Sequence, residues 1–135
     1  MLVIDASLAL AWCFGDEKSA AADKAIDQVR DEGALVPSLW RLEVANVLLA
    51  AERRGRIGRA DLERRLNLLS ALAITADTET DNRAWADTFT LARAQRLTLY
   101  DAAYLELALR HGAELATLDH DLAQAARSMG VPVLA

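Results

Sequence analysis

Leu2-Val3-Ile4 is an uninterrupted apolar run, and Asp5 follows it at once. A strand with one solvated face alternates apolar and polar positions. A run without alternation fits a strand covered on both faces, as in a parallel sheet packed between two layers of helices. Asp5 then stands where that strand leaves the sheet. No apolar run in the chain approaches the ~18 residues of a membrane span, so none is expected. No charged-then-apolar leader with a cleavage site precedes the strand, which gives the expectation of a cytoplasmic protein.

Downstream, strand-like and helix-like stretches alternate without repeat, low-complexity segment or linker. Ser7 is placed to cap a short helix through Cys13 that ends near Gly15. Ser19 to Glu32 is amphipathic, with Ala22, Ala25, Ile26 and Val29 on one face, and Gly33 stops it. Ala34-Leu35-Val36 reads as the second strand, ended by Pro37. Ser38 caps a helix to about Arg54, Gly55 stops it, and a tight Gly55–Gly58 turn leads to a helix from about Ala60 to Ala71. Leu72-Ala73-Ile74 reads as strand three, Asp81 to Arg96 as a helix, and Asp101 to Arg110 as an apolar helix stopped by Gly112. Glu114-Leu115-Ala116-Thr117 is strand four and Asp119 to Met129 the last helix. Val131-Pro132-Val133-Leu134 is the last strand, and its proline assigns it to a sheet edge. The alternation predicts a three-layer α/β/α fold around a parallel sheet of about five strands, in a single domain over residues 1–135. Right-handed crossovers put every strand's carboxyl end on one side, where ligands of open α/β sheets bind. Asp5 and the Thr117–Asp121 stretch both open onto that edge.

The 53% of hydrophobic residues is ample for a core. A chain of this size buries roughly two thirds of the surface its unfolded form exposes. The 15 basic and 20 acidic residues give a formal charge of −5, which argues against general affinity for nucleic acid. The arginines are uneven, however. Arg53, Arg54, Arg56, Arg59, Arg64 and Arg65 crowd a segment that holds only Glu52, Asp61 and Glu63 as acids. Such a run is ordinarily a solvated helix–turn–helix surface. Phosphate steering by Arg53, Arg54 and Arg56 becomes relevant only if a nuclease site lies nearby.

The acidic residues carry the chemistry. From Leu42 to Ala51 a helix is apolar nearly all round, with Glu43 and Asn46 as its polar members on one face. A buried carboxylate without a partner costs several kcal/mol or more, on the order of the transfer penalty for a charge. Either an ion pair with Arg41 or Arg53 satisfies Glu43, or it faces a cation with Asn46 orienting it, and the second account is favoured. Asp101, Asp119 and Asp121 each precede or open a helix and singly read as caps or first-turn acids, as does Asp5. Together they define a pattern: Asp5 and Asp119 follow buried strands, while Glu43 and Asp101 sit on helices flanking the same edge. Carboxylates held close repel one another, and a divalent cation removes that conflict. Oxygen-only ligation points to Mg²⁺ or Mn²⁺, which can activate water against a phosphodiester.

Other residues read as structural. His111 and His120 lack metal-ligand spacing with another His or Cys. Trp12, Trp40 and Trp85 do not interleave with basic residues as a base-stacking platform would, and read as core or subunit contacts. Cys13, the single cysteine, reads as an inert core thiol and excludes an internal disulfide. No Gly-rich phosphate loop is present.

Four blocks, Val3-Ile4-Asp5-Ala6-Ser7, Glu43-Val44-Ala45-Asn46-Val47-Leu48, Leu99-Tyr100-Asp101-Ala102-Ala103-Tyr104 and Leu115-Ala116-Thr117-Leu118-Asp119, resemble in order the signature blocks of PIN-domain ribonucleases. Over essentially the whole chain the likeness is to the VapC toxins of VapBC toxin–antitoxin pairs. The resemblance implies a PIN-like fold and metal-dependent endonucleolytic hydrolysis of RNA with Mg²⁺ or Mn²⁺. It implies Asp5, Glu43, Asp101 and Asp119 as the acidic set, with Ser7 and Thr117 as hydroxyls near the metal and Asp121 as an outer acid. It also implies a homodimer and inhibition by a cognate VapB-like antitoxin. Two alternatives stay open. One is a PIN-like module that binds RNA or a partner without cleaving. The other, weaker because residue 6 is Ala and the tail has no Lys, is a receiver-like signalling module.

Overall fold

The computed structural model describes residues 1–15 and 19–135. Its strands are β1 (Leu2–Ile4), β2 (Ala34–Val36), β3 (Ile74–Ala76), β4 (Glu114–Ala116) and β5 (Val133–Leu134). Its helices are α1 (Ala6–Cys13), α2 (Ala20–Glu32), α3 (Trp40–Arg53), α4 (Arg59–Ser70), α5 (Thr80–Arg83), α6 (Asp87–Gln95), α7 (Leu99–His111) and α8 (His120–Ser128). The strands form one sheet in the order β3-β2-β1-β4-β5, and every pairing is parallel. Leu2, Val3 and Ile4 are fully buried in the centre of that sheet, as their lack of alternation requires. Right-handed crossovers place the helices joining β1, β2 and β3 on one face and those joining β3, β4 and β5 on the other. The helix packing agrees: α1 packs on α2 and α3, and α3 on α4, while α7 packs on α6 and α8. The strand order reverses between β1 and β4. A receiver domain has the order 2-1-3-4-5, so the topology rules that alternative out.

Several boundaries differ from expectation for local reasons. Ser7 does not cap α1. Asp5 does, its carboxylate accepting from the Leu8 amide. Ser38 does not cap α3, whose N-cap is Leu39 with no side-chain bond, and the Ser38 amide donates instead to Thr80 Oγ1. The third strand is Ile74–Ala76 rather than Leu72–Ile74. The amides of Ala71 and Leu72 still bond to helix carbonyls, so α4 unwinds through Leu72 before a strand can start. Gly33 then sets the register. At φ +77° it lies so close to β3 that a Cβ would stand 2.8 Å from the Ala73 carbonyl oxygen. The expected helix over Asp81–Arg96 is split into α5 and α6. The Thr80–Arg83 segment buries no residue, tight turns close on Asp81 and Arg83, and Ala86 departs from helical geometry (φ −120°, ψ −104°).

The α3 helix is not buried on most sides. Trp40, Val44, Leu48 and Ala51 form a single buried stripe, while Leu42 is 76% exposed. Trp40 is in the core and Trp12 donates to the Ala22 carbonyl, but Trp85 is 93% exposed. Cys13 is half-buried rather than enclosed.

Candidate active site

The sheet's carboxyl edge at the β1/β4 reversal carries a cleft of about 300 Å³. Asp5, Ser7, Glu43, Asn46, Asp101, Tyr104 and Asp119 line it together with apolar side chains. Asp5 leaves β1, Glu43 and Asn46 come from the first two turns of α3, Asp101 and Tyr104 from the start of α7, and Asp119 caps α8. Four separated segments thus deliver their acids to one place, because parallel strands and the helices that follow them all present the same ends there.

Asp5 is the most enclosed of these acids, at 5% exposure. The Ser7 hydroxyl donates to its Oδ1 at 2.5 Å, and the Thr117 hydroxyl donates to its Oδ2 at 2.5 Å. Each hydroxyl is itself fixed: the Leu118 amide donates to Ser7 Oγ at 2.9 Å, and the Asp119 amide donates to Thr117 Oγ1 at 3.0 Å. Ser7 and Thr117 therefore lock Asp5 to the β4–α8 turn that carries Asp119. Burial raises the Asp5 pKa above the usual carboxylate range, and the bonds from Ser7 and Thr117 oppose that rise. Thr117 is completely buried and supports Asp5 from behind, whereas Ser7 also reaches the cleft.

Asp101 is not a cap. Thr98 caps α7 by accepting from the Asp101 amide at 3.1 Å, so the Asp101 carboxylate is left without a partner among the described residues. Its pKa is pushed up to about 6, first by burial and then by the negative charges of Asp119, Asp5, Glu43 and Asp121. That last cause follows from the placement of Asp5, Glu43 and Asp119 around the same cleft. Asp121 lies outside the cleft lining, and its charge still reaches Asp101.

Glu43 makes no ion pair among the described residues. Arg41 donates instead to the Ile74 carbonyl. The partner of Glu43 is the Tyr104 hydroxyl, which donates to Oε1 at 2.5 Å. Burial and the Glu43 carboxylate hold that phenol far above its ordinary pKa, so it remains a donor at every working pH. Tyr104 is hidden in the sequence because an aromatic residue on an apolar helix reads as core. The available signals are its position one turn beyond Asp101 and the need of a buried tyrosine hydroxyl for a partner.

Several acceptor oxygens remain unpartnered among the described residues: Glu43 Oε2, both oxygens of Asp101, and Asp119 Oδ2, the other Asp119 oxygen accepting from Leu122. Among the described residues, no group of three His, Cys, Asp or Glu side chains forms a ready-made metal cage. A small hard cation that keeps most of its water needs only one or two direct carboxylate bonds. Asn46 is exposed at the rim beside Glu43. Arg53, Arg54 and Arg56 do not line the cleft. Arg53 ends α3, about 15 Å from Glu43 along the helix at 1.5 Å rise per residue, and Arg54 and Arg56 follow it. Arg56 sits over the Phe14 ring, 4.0 Å from its centroid.

A carboxylate cluster at the reversal point of a 3-2-1-4-5 parallel sheet defines a class of small α/β domains with an oxygen-only acidic site. The chain belongs to the PIN domain family, whose profile matches residues 2–128. It is 34% identical to Ribonuclease VapC3 of Pyrobaculum aerophilum over 123 residues, which covers 91% of this chain and 92% of that protein. Two solved structures share the fold. FitAcB from Neisseria gonorrhoeae superposes with a TM-score of 0.69 at 14% identity, covering 100% of this chain and 97% of that one. The sarcin-ricin loop cleaving toxin VapC20 of Mycobacterium tuberculosis gives 0.62 at 14% identity, covering 93% and 95%.

Proposed function

We propose that this chain is a metal-dependent endoribonuclease, the toxin of a toxin–antitoxin pair, and that Asp5, Glu43, Asp101 and Asp119 form its catalytic set. The observation that carries the reading is the single cleft lined by Asp5, Glu43, Asp101 and Asp119, where burial and then the neighbouring acids push the Asp101 carboxyl up to about 6. The relationship to a VapC ribonuclease over 91% of the chain supports the substrate class. The oxygen-only donor set suits Mg²⁺ or Mn²⁺, with Asp101, Asp119 and Glu43 offering free oxygens and Asp5 closing the site from below. Once bound, the ion supplies positive charge that offsets the carboxylate repulsion and activates water toward the scissile phosphodiester. Ser7 and Thr117 keep the Asp5 carboxylate from rotating. Tyr104 occupies one oxygen of Glu43 and turns the other toward the cleft. Thr98 takes the capping duty that would otherwise draw the Asp101 carboxylate onto its own backbone. Asn46 lines the rim of the same cleft. The expected partners are RNA, a cognate VapB-like antitoxin and a second copy of the chain, in the cytoplasm.

The test is cleavage of bulk RNA by purified protein. Activity is expected to vanish in EDTA, to return with Mg²⁺ or Mn²⁺, and to be absent in Asp5→Asn with the fold retained by circular dichroism. Full activity in chelator, or an unaltered rate in Asp5→Asn, overturns the catalytic assignment. Tight RNA binding without any cleavage by the wild type favours the non-cleaving module instead.

A further inference from the structure

Arg96 is the only non-glycine residue at positive φ among the described residues, at φ +56° and ψ +41°. It ends α6 in the left-handed position where glycine is preferred and an L side chain is strained. Backbone strain of this kind persists where the surroundings hold it, often at functional positions.

The side chain lines a second cleft, of about 450 Å³, between the end of α6 and the face of α8, with Gln95, Leu97, Asp121, Gln124 and Ser128. The two walls are pinned to each other: Ser128 Oγ donates to Gln95 Oε1 at 3.2 Å, and Gln95 Nε2 reaches Met129 Sδ at 3.3 Å. Arg96 and Gln124 are left with no partner among the described residues. Of the twelve other arginines, Arg30, Arg59, Arg64, Arg83 and Arg110 pair with carboxylates, Arg41 donates to a carbonyl, and Arg56, Arg65 and Arg93 lie over aromatic rings.

The second cleft shares no lining residue with the acidic one but neighbours it along the chain on both walls. Its first wall runs from Arg96 and Leu97 into Thr98, which caps the helix bearing Asp101. Its second wall begins at Asp121, on the first turn of the helix that Asp119 caps, and the charge of Asp121 acts on Asp101. A polyanion crossing the acid pocket meets strong repulsion, and a cation beside the exit offsets it. We propose that this cleft holds the RNA backbone as it leaves the acidic site, with the Arg96 guanidinium on a phosphate and Gln124 as a second donor. The assignment rests on the ribonuclease reading.

The structure supplies its own control. Arg96→Gly removes the cation and at the same time relieves the left-handed backbone, so a purely structural role and a binding role predict opposite outcomes. Binding of fluorescent bulk tRNA is measured by anisotropy with Mn²⁺ across a salt series, in the Asp101→Asn background so that RNA is not consumed. Arg96→Gly is expected to raise or preserve the melting temperature while weakening tRNA binding roughly threefold to tenfold. The slope of log K against log salt is expected to shrink by about 0.7, the value of one neutralised phosphate on a single strand. Arg96→Lys is expected to keep most of the binding and the slope. A higher melting temperature with unchanged affinity and slope overturns the proposal and leaves Arg96 as a helix end. If wild-type protein neither binds nor cuts RNA, the ribonuclease reading itself fails and takes this one with it. If wild type cuts and only the Arg96 variants are indifferent, this proposal alone falls.

Discussion

Asp101 concentrates the electrostatic conflict of the site. Its pKa stands near 6 in the folded chain, against about 3.9 for an unfolded aspartate. A raised acid favours the fold while protonated. Its contribution is therefore fully present below about pH 4 and is lost as pH rises through about 6, where the folded state holds a proton the unfolded state has released. Asp77 works in the other direction. Arg110 holds its carboxyl below the usual range, so its contribution is present above that range and lost as pH falls through the depressed value. The metal-free protein is thus expected to melt higher near pH 5 than near pH 7. Asp101→Asn should abolish cleavage and raise the melting temperature at pH 7, with the gap to wild type closing near pH 5. Saturating Mn²⁺ should stabilise wild type at pH 7 in proportion to ln(1 + [L]/Kd), and the variant much less. A variant that melts lower than wild type at pH 7 would show that the acids do not repel one another as described. At Tyr104, Tyr104→Phe removes the only hydrogen bond to the Glu43 carboxylate among the described residues. Loss of a partner that orients a metal ligand typically costs about 10–100-fold in metal affinity or activity. Mn²⁺ titration and cleavage rate should both register that loss while the melting temperature moves little. Unchanged Mn²⁺ affinity and rate together would leave Tyr104 a core residue.

At the scale of elements, α7 matters most, because it carries Asp101 and Tyr104. Its far end is held by Arg110, which donates to Asp77 Oδ2 at 2.7 Å and to Glu106 Oε2 at 2.9 Å. Asp77 follows β3, so the cluster ties the last turn of α7 to the exit of that strand. The Asp77 and Glu106 side chains are 8% and 6% exposed, and desolvated pairs of this kind are costly to break. Asp77→Ala is expected to destabilise the fold by about 3 kcal/mol, the low end of that range because Glu106 still pairs with Arg110. Urea unfolding measures it, and a change below about 0.5 kcal/mol would return the cluster to the class of ordinary surface pairs. The cluster also illustrates what is legible in the chain. Periodicity locates nearly every helix and strand, because local apolar spacing decides them. It does not show that Arg110, Asp77 and Glu106 meet, since their approach depends on how α7 crosses the sheet. The same limit explains the acids. That Asp5, Glu43, Asp101 and Asp119 belong together is readable from their places after strands and on flanking helices. That Thr98 rather than Asp101 caps α7 depends on a turn the apolar pattern does not encode. Glu43 is less buried than the apolar run around it predicts, because α3 exposes residues such as Leu42.

For the molecule as a whole, a net charge of −5 and an acidic cleft must be reconciled with a polyanionic substrate. The arginine-rich stretch stands apart from the chemistry, at the end of α3 opposite Glu43, about 15 Å along the helix. Arg56 is occupied by the Phe14 ring, and Arg65 approaches the same ring from 5.0 Å, so these two brace the end of α1. Arg53 and Arg54 are exposed. A trinucleotide centred on the acidic cleft offers few phosphates in their direction, whereas a folded RNA extending along α1 and α3 offers many. The double change Arg53→Ala, Arg54→Ala is therefore expected to leave trinucleotide cleavage unchanged. For bulk tRNA it should raise KM and lower the salt slope by up to about 0.7–0.9 for each phosphate the two arginines neutralise. Equal losses on both substrates would mean that the patch acts through the fold of α3. No loss on either would make it a solvated surface, and would leave the second cleft to supply the attraction that the net charge denies.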